Sequence, residues 1–156
     1  MTPDLREDLR QRKPFTSLEQ EAQLNVVRTA SLLVDSFEQM LKPHGITATQ
    51  YNVLRILRGA EPNGLCRNEL RDRMLTRMPD VTRLLDRMED AKLVARARDS
   101  EDRRLVSTRI TPKGLRLLDE LDDAVSQEHM RRFHHLSKTQ LKTLIDLLNA
   151  VRNELE

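Results

Sequence analysis

Four side chains able to read a flat hydrogen-bonding edge stand close together in the chain: Arg77, Asp80, Thr82 and Arg83. Two are guanidinium forks, one is a carboxylate and one a hydroxyl. Further on, the run Asp99-Ser100-Glu101-Asp102-Arg103-Arg104 carries both signs of charge in six residues. Forked donors near the end of a narrow rod can pair with the edge of a base, and Arg77, Thr82 and Arg83 fit that role. Asp80 could accept from a cytosine amine or orient a neighbouring Arg. An arginine on a hairpin tip can enter a narrow minor groove, where the potential is most negative. An acidic neighbour two residues away can hold its guanidinium in place. This is the chemistry of reading duplex DNA. Catalytic patterns are missing: there is no Ser-His-Asp spacing, no phosphate-binding loop and no glycine-rich nucleotide fingerprint.

Rigid elements must carry these groups. Val81, Leu84, Leu85 and Met88 recur at helical spacing, with Arg77, Asp80, Arg83 and Arg87 largely on the other side. Pro79 is tolerated only in a first turn, so this helix is expected to start between Thr76 and Pro79 and to span 76–91. A short helix over about Arg67–Met74 precedes it. Two helices joined by a tight turn, the second cationic outside, describe a helix-turn-helix. LVARAR and RLVSTRI then read as two strands around a charged DSEDR turn, a hairpin over 93–110. Either feature alone has a plain explanation. The helix face could simply be solvated, and an exposed Asp–Arg pair contributes only roughly 0–1 kcal/mol. Their adjacency argues for a reader and a clamp.

The flanks are helical. Residues 1–16 are polar, with Leu5 and Leu9 spaced for a short helix and Pro14 as a break; they form an arm. Ser17 caps a long helix whose Leu18, Ala22, Val26, Ala30, Leu33, Phe37 and Met40 recur at helical spacing, and Gln20 completes a capping box. Pro43 and Gly45 end it. Thr47 caps the next helix, with Tyr51, Leu54, Ile56 and Leu57 on its apolar side, and Gly59, Pro62 and Gly64 form the following loop. Thr111-Pro112 opens a fifth helix running to about His134, and Ser137 caps a sixth. In that last helix Leu141, Leu144, Leu148, Val151 and Leu155 are spaced as a heptad seam. The expected order is four helices, a β-hairpin and two helices.

Bulk properties agree. At 156 residues the chain fits one domain with helical extensions. Hydrophobic residues make up 38% and aromatics 3%, so aliphatic side chains must build the core. A net charge of +2 from 33% charged residues implies solvated faces rather than a polybasic tail. From Arg67 to Arg109 twelve Lys/Arg face nine Asp/Glu, a mild local excess. Cys66, the single cysteine, excludes an internal disulfide and reads as a small packing residue rather than a redox sensor. His129 and His134 are five apart, off one helix face, and no nearby cysteine completes a zinc site with His135; no metal and no cofactor are expected. No stretch approaches the roughly 20 apolar residues of a membrane span, and the N-terminus lacks a signal-peptide core, so a cytoplasmic location is expected.

The runs HGITATQYNVLRIL and NELRDRMLTRMPDVTRLLDRMEDAKLVARARDSEDRRLVSTRITPKG resemble the MarR family of bacterial transcription regulators. The resemblance covers roughly Leu18 to Val151. Its most specific part is D-x-x-DRR followed by a strand and ITPKG; GIT-x-x-Q-Y is a second match. It implies a mainly α fold with a small β-hairpin wing: a winged helix-turn-helix with N- and C-terminal dimerisation helices. The implied organisation is an arm over 1–16, a first dimerisation helix over 17–44, a DNA-binding domain over 45–111 and C-terminal dimerisation helices over 112–156. It further implies a homodimer acting as a repressor or activator, repression being the family's more usual mode, on a pseudo-palindromic operator. Arg104, braced by Asp102, would be the minor-groove residue, with Arg103 helping at phosphate. Thr82 and Arg83 match recognition-helix positions; Arg77 and Asp80 match more variable ones. A small phenolic anion is the implied effector, and His44, Tyr51 and Arg55 lie on helices the family uses for it.

Overall fold

The computed structural model describes residues 4–99, 101–102 and 104–155. The chain divides into two compact units, Met1–Ala48 and Thr49–Glu156.

The first unit contains α1 (Leu5–Asp8) and α2 (Leu18–Leu41), followed by a 3-10 turn over Lys42–His44. Asp4 caps α1 by accepting the Glu7 N–H at 2.9 Å. Leu5 is buried and Asp8 pairs with Arg28 at 3.0 Å, so the arm is tied to α2. Ser17 caps α2 as its sequence predicts, accepting from the Gln20 N–H at 3.1 Å. The capping box differs by one residue. Gln20 Oε1 accepts from the Thr16 N–H and hydroxyl at 2.7 and 3.0 Å rather than from Ser17, because Thr16 offers two donors at once. Of α2 only Leu41 is buried, whereas Leu18 and Val26 are exposed.

The second unit holds α3 (Ala48–Gly59, entering from the boundary residue), β1 (Leu65–Cys66), α4 (Arg67–Arg73), α5 (Val81–Asp90), β2 (Val94–Arg98), β3 (Val106–Ile110), α6 (Pro112–Phe133) and α7 (Lys138–Asn153). Leu54, Leu57, Leu70, Met88, Leu118 and Leu121 have no solvent exposure and form its aliphatic core. The expected hairpin is present, with Val94 opposite Ile110 and Arg98 opposite Val106. The sheet has a third strand that the sequence pattern does not predict. β1 pairs antiparallel with β3, Leu65 opposite Thr108, giving the order β1-β3-β2. Two residues are too few for alternation to register.

Gly64 is what lets β1 approach β3. Its φ is +72°, and a Cβ there would lie 2.7 Å from both Ser107 Oγ and Arg109 Cγ. Gly64→Ala is therefore expected to destabilise the unit by about 2 kcal/mol, from left-handed strain plus the clash. Urea unfolding measures this; an unchanged midpoint would show that the strand entry has room to relax.

The C-terminal helices start as the sequence predicts. Thr111 Oγ1 accepts the Gly114 N–H at 3.1 Å and its hydroxyl donates to the Lys92 carbonyl at 2.6 Å, anchoring α6 beside the end of α5. Ser137 and Gln140 form a reciprocal capping box at α7. No residue of α7 is buried, and Leu144, Val151 and Leu155 of its seam are exposed. Among the described residues no helix is long and apolar enough to cross a membrane.

Candidate nucleic-acid interface

Proline chemistry sets where the reading helix begins. Pro79 disfavours the helical region for Met78. Asp80, with extended φ of −126°, then caps α5 by accepting the Arg83 N–H at 3.0 Å. The helix thus starts at Val81, later than the 76–79 expected from its sequence, and Arg77 lies in the preceding loop rather than on the helix. That loop is held by Asn52, whose Oδ1 accepts the Leu75 N–H at 3.0 Å. Asp80 Oδ2 also lies 3.5 Å from Arg83 Nε. Asp80 thus caps the helix and lies beside the exposed Arg83 guanidinium. Val81, Leu84, Leu85 and Met88 are buried, leaving Thr82, Arg83 and Arg87 exposed on the outer face.

Arg96 on β2 fixes this helix to the sheet. Its guanidinium donates to Glu89 Oε1 at 3.0 Å and to Oε2 at 3.3 Å, and pairs with Asp86 Oδ1 at 2.7 Å. Its backbone N–H also donates to Glu89 Oε2 at 3.0 Å. The Arg96 hydrogen bonds hold the Glu89 carboxyl below its ordinary pKa. Glu89 and then Asp86 hold the Arg96 guanidinium above its own. Sequence reasoning missed Arg96. Its signal was its half-buried register in an alternating strand, opposite Thr108.

The wing turn is organised by its first carboxylate. Asp99 Oδ1 accepts the N–H groups of Glu101 and Asp102 at 2.7 and 3.1 Å. Those bonds, Asp102's first, lower its pKa. Asp102 Oδ1 accepts the backbone N–H of Arg104 at 2.9 Å. Asp102 therefore helps to shape the turn through the backbone of Arg104, and no ion pair joins it to the Arg104 guanidinium among the described residues. Arg104 is exposed, and Arg103 lies outside the described residues.

A cleft of about 390 Å³ separates helix and wing, lined by Cys66, Arg67, Thr82, Arg96, Arg104 and Thr108 among others. Arg67 Nη1 donates to Thr82 Oγ1 at 3.3 Å, so Thr82 carries a guanidinium as well as facing outward. Cys66 is half-buried at the cap of α4, its N–H donating to Glu69 at 2.9 Å. That carboxyl is lowered in pKa chiefly by this bond.

The three ligand candidates are distributed otherwise. Tyr51 and Arg55 sit one turn apart on α3, with Arg55 Nη1 donating to the Tyr51 hydroxyl at 3.5 Å. His44 is exposed and belongs to the first unit. His134 and His135 meet edge to face at 5.7 Å. On the same face of α3, one turn beyond Arg55, Arg58 pairs with Asp122 of α6 at 3.0 Å by a bidentate contact the sequence pattern does not reveal.

A helix-turn-helix whose second helix is pinned to a small antiparallel sheet with a charged hairpin defines a winged-helix DNA-binding protein. Known proteins place it more finely. The MarR family profile matches residues 44–105. The transcriptional regulator TtmR of Methylorubrum extorquens is 30% identical over 89% of this chain and 69% of its own. A MarR transcription factor structure from Planctomyces limnophilus is 39% identical, covers 88% of this chain and 99% of its own, and superposes with a TM-score of 0.67. The S. aureus MepR–DNA complex, at 22% identity over 90% of this chain and 99% of its own, shares the fold with a TM-score of 0.79. The chain belongs to the MarR family of transcriptional regulators, which bind DNA and are not enzymes.

Proposed function

We propose that the chain is a ligand-responsive repressor that binds a pseudo-palindromic operator as a homodimer. Residues 45–111 form the DNA-binding domain, with α5 in the major groove and the wing in the minor groove. Residues 17–44 and 112–156 supply the dimer, and 1–16 an arm. Arg77, Thr82 and Arg83 face bases or phosphates, Asp80 orients Arg83, and Arg104 enters the minor groove beside Arg103 on a turn shaped by Asp102. The observation that carries this reading is the pinned helix α5. Arg96 fixes it to the wing strand while Arg83 and Arg87 stay exposed on its outer face. A rigid rod with arginines on its outer face, beside a charged hairpin, suits both grooves at once. MepR of S. aureus, which shares the fold and has been seen with DNA, supports DNA as the partner. CouR of Rhodococcus jostii, which has been seen with p-coumaroyl-CoA, supports an aromatic acid or its thioester as effector, with His44, Tyr51 and Arg55 as the residues to test.

The test is protection of the chain's own upstream DNA from cleavage, with symmetric half-sites centred about 34–36 Å apart. An asymmetric footprint would reject the dimer reading. Arg104→Ala is expected to weaken operator binding by about tenfold without altering the melting temperature, because its guanidinium is exposed and makes no ion pair among the described residues. Fluorescence anisotropy measures it; unchanged affinity would remove the wing from the minor groove.

A further inference from the structure

The cleft between α4, α5 and the wing has a purpose that neither groove contact explains. If α5 lies in the major groove and the wing in the adjacent minor groove, one sugar–phosphate strand must pass between them. The cleft is the space it passes over. Of its three arginines, Arg96 is committed to Glu89 and Asp86. Arg67 and Arg104 have no carboxylate within ion-pair distance among the described residues. Arg67 instead lies against the Thr82 hydroxyl, which orients its fork toward the cleft mouth. Asn68 adds an amide to the same rim.

We propose that this cleft seats one phosphodiester of the DNA backbone, and that Arg67, held by Thr82, is its principal ligand. The proposal rests on the groove assignment made above. The guanidinium fork of Arg67 stands at the wall of a cleft wide enough for a tetrahedral anion, and a fork of this kind suits bidentate phosphate recognition. Thr82 thereby works as a platform for Arg67 as well as facing the DNA. The contact is blind to sequence, so it sets register and affinity while α5 sets specificity.

The experiment compares wild type, Arg67→Ala and Arg67→Lys on the footprinted operator and on an unrelated duplex, across a salt series. Arg67→Ala is expected to lose roughly tenfold or more in affinity on both duplexes alike, and to flatten the dependence of log affinity on log salt by about two, one for each subunit of the dimer. Arg67→Lys should restore the salt slope while recovering only part of the affinity, because a point charge replaces a fork. A set of operators, each with one neutral methylphosphonate linkage, locates the phosphate. One linkage should weaken wild type and leave Arg67→Ala indifferent. A loss confined to the operator, an unchanged slope, or no linkage with this behaviour would overturn the proposal. A wild type that binds both duplexes equally would instead sink the operator reading, while the slope on either duplex still decides the role of Arg67.

Discussion

Arg96→Ala should lower operator affinity by roughly tenfold to a hundredfold although Arg96 touches no base, equivalent to the loss of one or two well-placed base contacts. The guanidinium serves Glu89 and Asp86 together. Removing it frees two carboxylates on the reading helix, directly beside the phosphates that α5 must approach. It also releases α5 from β2, so reader and clamp no longer hold a fixed spacing. Stability should fall by only about 1–2 kcal/mol, because both carboxylates are well exposed and solvent screens them. The two effects separate by pH. The folded-state pKa of Glu89 is depressed from its ordinary 4.5, so its contribution is present above that value and lost as pH falls through the lowered one. The melting-temperature difference between wild type and Arg96→Ala should therefore be full near neutrality and shrink in acid. Arg96→Lys keeps the charge but cannot fork to both partners, and should fall between them on DNA. A difference that stayed the same from neutrality into acid would mean that Arg96 acts through packing rather than through Glu89.

The same residues show what the sequence can and cannot display. The buried face of α5 was legible because Val81, Leu84, Leu85 and Met88 repeat with the period of a helix. The starts of α2, α6 and α7 were legible because Ser17, Thr111 and Ser137 are local caps, each acting on a backbone three residues away. What stayed hidden depends on partners distant along the chain or on competition between two local rules. Pro79 allows a first turn, but Asp80 is the better cap, and the cap won by shifting the start to Val81. The wing offered three carboxylates in four residues, and charge alone could not tell that Asp99 would organise the turn while Asp102 bonded the backbone of Arg104. Arg67 and Thr82 are fifteen residues apart, and no periodicity links a helix start to a helix face across a turn. Resemblance to a family supplied the wing arginine; it could not supply Arg67 or Arg96, which emerge only when three elements are set against one another.

Leu144→Asp combined with Val151→Asp is expected to have the largest effect on DNA, and it lies far along the chain from the reading helix. Both residues stand on the heptad seam of α7, 36% and 56% exposed, in a helix with no fully buried residue. Substitution there leaves subunit packing intact, so circular dichroism should show a folded protein. In a two-fold interface each change is felt twice, and a buried unpaired carboxylate is costly wherever it occurs. Sedimentation should report a monomer at concentrations where wild type is dimeric. Operator affinity should then fall by about two to four orders of magnitude, the usual gain when two sites are tethered at the right spacing, while binding of one domain to a half-site persists weakly. The phosphate contact of Arg67 and the brace of Arg96 lie within one subunit, so the monomer should keep the Arg67 contribution to the salt dependence of its weak binding. A variant that stayed dimeric would move the interface elsewhere. A monomer that bound the full operator as tightly as wild type would show that one winged helix suffices, and that the exposed seam serves some other partner.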